Sequence, residues 1–199
     1  MKDQFKPLFV IAAVGVALTG CGILGMESEV SSGKSDAKMD MREAAEHADA
    51  MLDAVFGNIK PEVQWTHDET TATSCDLIRR RTVMTIISKE RRGSFLGLVE
   101  RFWEKRGYEI KAVNASIKFP AVYAEDPDGF TVSLSIGDQG QAFFEAATPC
   151  VEKSEVIDPT SSPNGLNYAG MKVPRPNVHS GFWSSTTPIS SSSPTASEE

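Results

Sequence analysis

The sequence predicts an α+β domain, an antiparallel sheet of about five or six strands with two helices packed on one face, followed by a disordered C-terminal tail. Three observations point there. Apolar residues recur at three- and four-residue steps around 41–56 and again around 95–103, the spacing of amphipathic helices. Between and after these stretches lie short runs rich in Val, Ile and Thr, the clearest with strict odd–even alternation. Turn chemistry then separates the later runs, at Asp126-Pro127-Asp128-Gly129 and Gly137-Asp138-Gln139-Gly140, so these strands follow one another as hairpins in an antiparallel meander. With 199 residues, 40% apolar and 24% charged, the chain has material for one packed core plus spare sequence. A formal charge of -7 argues against a nucleic-acid partner, which would need a surplus of Lys and Arg to neutralise phosphates.

The first helix starts at Asp40, where Asp40 and Glu43 fit a capping box, and Met41, Ala45, Ala48, Leu52 and Val55 line its apolar face. Gly57 is the expected left-handed stop. A short strand over 63–65, a Thr-rich loop over 67–74 and a β segment over 78–88 follow. Gly93 and Ser94 open the second helix, whose stripe is Phe95, Leu98, Val99, Phe102 and Trp103, and Gly107 closes it. Strands are expected at 108–115, 119–124, 129–136 and 141–147; in the third, Phe130, Val132, Leu134 and Ile136 face one way and Thr131, Ser133 and Ser135 the other. Beyond residue 152, Pro, Ser, Asn, Gly and Thr dominate, and 159–199 reads as a segment unable to bury enough apolar surface to order itself. One stretch stands out within it, His179-Ser180-Gly181-Phe182-Trp183, either a docking motif for a partner or for the domain's own surface, or a tolerated aromatic pair.

The N-terminus has the anatomy of an export signal. Lys2 and Lys6 precede about a dozen apolar residues, too few to span a bilayer as a helix, and the run ends at Leu18-Thr19-Gly20-Cys21. This tetrapeptide resembles the bacterial lipobox, which implies a diacylglyceryl group on Cys21 and cleavage just before it. The expected organisation is therefore a signal peptide over 1–20, a lipid-anchored flexible tether over 21–38, a globular domain over 39–152 and a tail over 153–199. Two acyl chains hold firmly where one holds reversibly, placing the protein on the extracytoplasmic face of the cell membrane with membrane lipid as its first partner. Of the three cysteines, Cys75 and Cys150 then remain for a disulfide in an oxidising compartment. They lack the Cys-x-x-Cys spacing of redox-active pairs.

Reaction chemistry is hard to find. His47, His67 and His179 have no partner at ligand or relay spacing, and no Gly-x-Ser-x-Gly elbow is present. Asp126 and Asp128 precede a glycine as at the start of a calcium loop. Gly137 stands where the twelfth-position carboxylate is required, so a Pro-Asp-Gly turn is the favoured reading. Glu100 and Glu104 sit beside Arg101 and Lys105, as on a solvated helix face. No metal ligand set, cofactor motif or catalytic residue is assigned. The least ordinary feature is cationic: Arg79, Arg80 and Arg81 before one β segment, and Lys89, Arg91 and Arg92 after it. These six could form a patch for an anionic wall polymer or an acidic envelope protein, or could pair with the domain's own carboxylates.

The stretches Lys89-Glu90-Arg91-Arg92 with the following helix, Pro127-Asp128-Gly129-Phe130 and Thr148-Pro149-Cys150-Val151 resemble small uncharacterised lipoproteins of actinobacteria. The resemblance implies surface location and a disulfide, and no activity. The sequence thus leads to a lipid-anchored envelope lipoprotein with a non-catalytic binding or accessory domain; the alternative is an extracellular enzyme, a hydrolase whose site the sequence does not display.

Overall fold

The computed structural model describes residues 38–188. The stretches expected as signal peptide and tether, Cys21 included, lie outside the described residues up to residue 37, as does the Ser-rich end from residue 189.

Helix α1 (Met41–Asn58) begins where the capping box puts it: the Asp40 side chain accepts from the backbone N–H groups of Arg42 and Glu43, and Glu43 reaches back to the Asp40 N–H. It stops without a left-handed glycine. The N–H of buried Ile59 folds back on the carbonyls of Val55 and Phe56, and Pro61 denies the chain further helical turns. Strands β1 (Trp65–His67), β2 (Thr71–Ala72) and β3 (Leu77–Val83) follow, then α2 (Lys89–Lys105) and the meander β4 (Glu109–Asn114), β5 (Ala121–Glu125), β6 (Thr131–Ile136) and β7 (Ala142–Ala147). Ser88 occupies the N-cap of α2, so the helix starts before Gly93 and Arg91 and Arg92 belong to its first turn. Gly107, at φ 82°, ends it as expected.

All strand pairings are antiparallel, in the order β1-β3-β7-β6-β5-β4, with β2 pairing β3 beside β1. β1 and β2 thus form one interrupted edge, bridged by the Asp68 N–H to the Arg80 carbonyl. Helix α2 carries the chain from β3 to the opposite edge, and the meander returns to β3. Both helices lie on one face, α1 over β3 and β7 and α2 over β4, β5 and β6. Between them the inward residues Val83, Val122, Val132, Leu134 and Phe144 meet Ala48, Leu52, Phe95, Val99 and Trp103. The alternation of β6 is as expected: Val132, Leu134 and Ile136 are buried, Ser133 and Ser135 only partly so.

The segment after the sheet is the main departure from expectation. Through residue 188 it lies on the domain as a strap. The Ile86 N–H donates to the Val178 carbonyl, the Ser88 N–H to the Trp183 carbonyl, and the Ser184 hydroxyl to the Ile86 carbonyl at 2.7 Å. Trp183 is 1% exposed, meets Phe95 edge-on at 5.0 Å and donates its indole N–H to the Pro61 carbonyl at 2.6 Å. The 179–183 stretch therefore docks on its own domain. Composition alone suggested disorder, but one indole and a run of backbone bonds offset the ordering entropy of a polar strap.

Candidate functional site

Arg79, Arg80 and Arg81 occupy consecutive positions of β3 and so point to alternate faces. Arg80 lies on the open face of the sheet, where its Nε donates to Glu145 Oε1 at 2.6 Å from the register-matched position of β7. Arg79 and Arg81 share the inward face with Leu77 and Val83 and are 2% and 1% exposed. Two carboxylates one turn apart on α1 meet them: Arg79 Nε lies 3.2 Å from Asp49 Oδ2, and Arg81 Nη2 lies 2.7 Å from Asp53 Oδ1. The Arg81 guanidinium also stands over the Trp65 ring at 4.2 Å. Burial pushes the Asp49 carboxyl above its ordinary value, opposed by the two guanidinium charges, and burial likewise pulls Arg81 down against the pull of Asp53.

The other cations are no more available. Arg92 donates to the carbonyls of Ile117, Lys118 and Asp138, and Arg91 Nε to the Phe182 carbonyl at 3.0 Å. Of the six residues expected to form an anionic-ligand patch, Lys89 is exposed and Arg80 half-buried, while Arg79, Arg81, Arg91 and Arg92 are buried. The patch is therefore not a surface feature. Strand alternation turned two arginines inward, and the early start of α2 placed two more against the β4–β5 and β6–β7 turns and the strap.

The strap also builds a cleft. Asn164 brackets the free edge of β1, accepting from the Trp65 N–H and donating to the Val63 carbonyl, while the Tyr168 N–H donates to Thr66 Oγ1 at 3.0 Å. His67 Nε2 lies 2.7 Å from the Ser161 carbonyl, and Ser161 Oγ accepts from Arg81 Nη2 at 2.9 Å. Between this strap and the β1–β2 connection opens a cleft of about 1130 Å³, walled by Asp68, Glu69, Thr70, Asp158, Tyr168 and Lys172 among others. Three carboxylates against one ammonium give it a negative lip. Its size suits a small-molecule or oligomer segment.

A separate cluster joins α1 to the β5–β6 turn. Asp126 Oδ1 accepts from the N–H groups of Asp128 and Phe130, which leaves Oδ2 facing His47 Nε2 at 3.2 Å. The His47 ring rests on Phe130 with centroids 4.3 Å apart. One ligand-type atom from each of His47, Asp126 and Asp128 lies within 4.8 Å of the others.

Cys75 and Cys150 are joined, with Cα atoms 4.8 Å apart, and the Val151 N–H donates to the Cys75 carbonyl beside the bond. His179 is exposed, and Glu100 and Glu104 lie on the outer part of α2 without meeting a histidine. Sequence reasoning missed the Asp49 and Asp53 counter-ions, although their spacing amid Ala45, Ala48 and Leu52 already placed carboxylates on an apolar stripe. It also missed the approach of His47 to Asp126, for which no local signal exists. Among the described residues, no helix is long and apolar enough to cross a membrane.

No family model and no curated protein matches the chain. Among solved structures it shows a weak likeness to a DUF4853 family protein from Actinomyces odontolyticus ATCC 17982, at a TM-score of 0.31 and 12% identity, covering 60% of this chain and 70% of that one.

Proposed function

We propose that the chain is a lipoprotein of the cell envelope, held on the extracytoplasmic face of the membrane by an acylated Cys21, and that its domain is a non-catalytic binding or accessory module. The lipobox-like Leu18-Thr19-Gly20-Cys21 supports the anchor, and a joined Cys75–Cys150 pair suits an oxidising compartment. The observation that carries the binding reading is the cleft between the β1–β2 connection and the strap. The two groups nearest to a base and a nucleophile there, His67 and Ser161, both hold the strap in place. With Asp68, Glu69 and Asp158 on its wall the cleft repels polyanions, so its ligand is a neutral or amine-bearing, hydroxyl-rich chain, such as a wall saccharide.

Two experiments test this. Purified full chain should cosediment with peptidoglycan stripped of its anionic polymers. Glu69→Gln with Asp158→Asn should weaken the association, and inorganic polyphosphate should not compete. Failure to cosediment, or full competition by polyphosphate, overturns the ligand class. In cells, Cys21→Ala should release the protein from salt-washed membranes; retention overturns the anchor.

A further inference from the structure

We propose that the tip of the β4–β5 hairpin, residues 113–119, inserts into the headgroup–acyl boundary of the bilayer that carries the anchor, giving the domain a second hold on the membrane. The location rests on the lipid-anchor reading; the surface itself is separate from the cleft. Val113 is 54% exposed, Ile117 87% and Phe119 57%, three large apolar side chains on one projecting turn. Single exposed apolar residues are ordinary, but such a group marks a contact surface.

Three features point to lipid as what covers it. First, the backbone is prepared for water-poor surroundings. The carbonyls of Ile117 and Lys118 accept from the Arg92 guanidinium at 3.3 and 3.4 Å, that of Phe119 from Asn114 Nδ2 at 3.0 Å, and that of Pro120 from the Ile136 N–H at 2.9 Å. The Ser116 and Phe119 N–H groups donate to Asn114 Oδ1 and Ser116 Oγ. A turn bathed in water can leave such groups to the solvent, whereas one entering lipid must satisfy them itself. Arg92 is 4% exposed, so a buried guanidinium fixes the turn from inside while Ile117 and Phe119 stay outside.

Second, the charge is complementary. From Ile110 to Ala124 the only charged side chains are Lys111 and Lys118, in a chain of net charge -7. Lys111 pairs with Glu109 and Glu125, whereas Lys118 is exposed and has no partner among the described ion pairs. A lysine between two apolar side chains suits this boundary, its stem lying along acyl chains and its ammonium reaching lipid phosphate. A second copy of the chain fits the same edge poorly, because β4 is interrupted by a register break between Ile110 and Ala112 and carries Lys111 there.

Third, the anchor has the reach. The described chain enters at the Cys75–Cys150 end of the sheet, with the Met41 N–H on the Glu152 carbonyl, and the tip lies at the other end, where Ala121 pairs with Ser135. Six-residue strands set these ends about 20 Å apart. The chain from Cys21 to Lys38 extends to about 55 Å, so anchor and tip can reach one bilayer together. Once the anchor holds, insertion of the tip is an intramolecular step for which weak affinity is enough. β4 and β1 are opposite edges of the sheet, so the cleft stays clear of lipid.

The test tethers the chain from Cys21 onward, which keeps every described residue, through the Cys21 thiol to maleimide lipid in phosphatidylglycerol–phosphatidylcholine vesicles with brominated acyl chains. Cys75 and Cys150 are bonded and do not react. This tether holds whether or not cells acylate Cys21, so failure of the anchor and failure of the tip give different results. Trp65, Trp103 and Trp183 are 6%, 1% and 1% exposed, so the wild type should be little quenched. Phe119→Trp should add an emission that shifts to the blue and is quenched most by bromines about 5–10 Å below the headgroups. Adding Ile117→Ser should lower the inserted-to-free ratio about tenfold, the loss of one buried aliphatic side chain. Both positions are exposed, which keeps the substitutions clear of the core. Quenching of Phe119→Trp no greater than that of the wild type, or quenching that Ile117→Ser leaves intact, overturns the proposal. So does a dimer, formed without vesicles, that Ile117→Ser dissociates.

Discussion

Removing the Asp49 carboxylate should destabilise the domain more than any ordinary surface change, because it strands a buried guanidinium. Arg79 is 2% exposed at the side chain and Asp49 11%, and their charged atoms lie 3.2 Å apart. At an effective dielectric constant of about 20, the gross attraction at that distance is about 5 kcal/mol. Desolvation cancels much of it in the intact pair, but deleting one partner exposes the uncompensated cost, typically about 3–5 kcal/mol. Arg79 keeps two neutral acceptors, Thr70 Oγ1 and the Ile157 carbonyl, which places Asp49→Ala near the lower end, about 3 kcal/mol. That is a large part of the 5–15 kcal/mol available to a domain of this kind. Urea unfolding followed by tryptophan fluorescence measures it, with the slope checked for two-state behaviour. The double variant Asp49→Leu with Arg79→Met should recover most of the loss, since both charges leave together. A cost below about 1 kcal/mol for Asp49→Ala, or a double variant as unstable as the sum of the singles, would refute the reasoning.

Further outcomes follow from the same structure. Replacing Cys75 and Cys150 by Ala reopens a crosslink spanning 75 residues and should cost about 4.5 kcal/mol in the loop-entropy account, read as a shift in urea midpoint. Trp183→Ala should cost about 3–5 kcal/mol and expose the strap to limited proteolysis; an unchanged cleavage pattern would show that the indole is not what holds it. Gly140, at φ 83°, leaves 2.5 Å between an added Cβ and the Ile87 carbonyl oxygen, so Gly140→Ala should lower the melting temperature where Gly57→Ala, with open space around it, should not. The Glu43 N–H, chief among its donors, holds the Asp40 carboxyl below its ordinary 3.8. Its contribution to stability is therefore complete above that value and lost as pH falls through the lowered one, so the melting-temperature gap between wild type and Asp40→Ala should close in acid.

Local chemistry made much of this protein legible in the chain itself. The Asp40 capping box, the glycine stop at Gly107, the alternation of 130–136 and the two glycine turns each depend on residues within a few positions of one another. Short-range steric and hydrogen-bonding rules therefore determine them, and the α+β class follows from their order. The Cys75–Cys150 pairing was legible in the chain through the expectation that Cys21 carries lipid, and the two are joined in the fold. Tertiary structure decided what depends on partners far along the chain. Arg79 and Arg81 look in sequence like part of a cationic surface, and only the placement of α1 over β3 shows that Asp49 and Asp53 neutralise them inside. Trp183 looks like a stray aromatic until Pro61 and Phe95 form its socket, and His47 stands 79 residues from the Asp126 it faces. A charge or an aromatic ring carries no local mark of its eventual neighbour, because its energy depends on which groups the fold brings within a few ångströms and how much water the fold takes away.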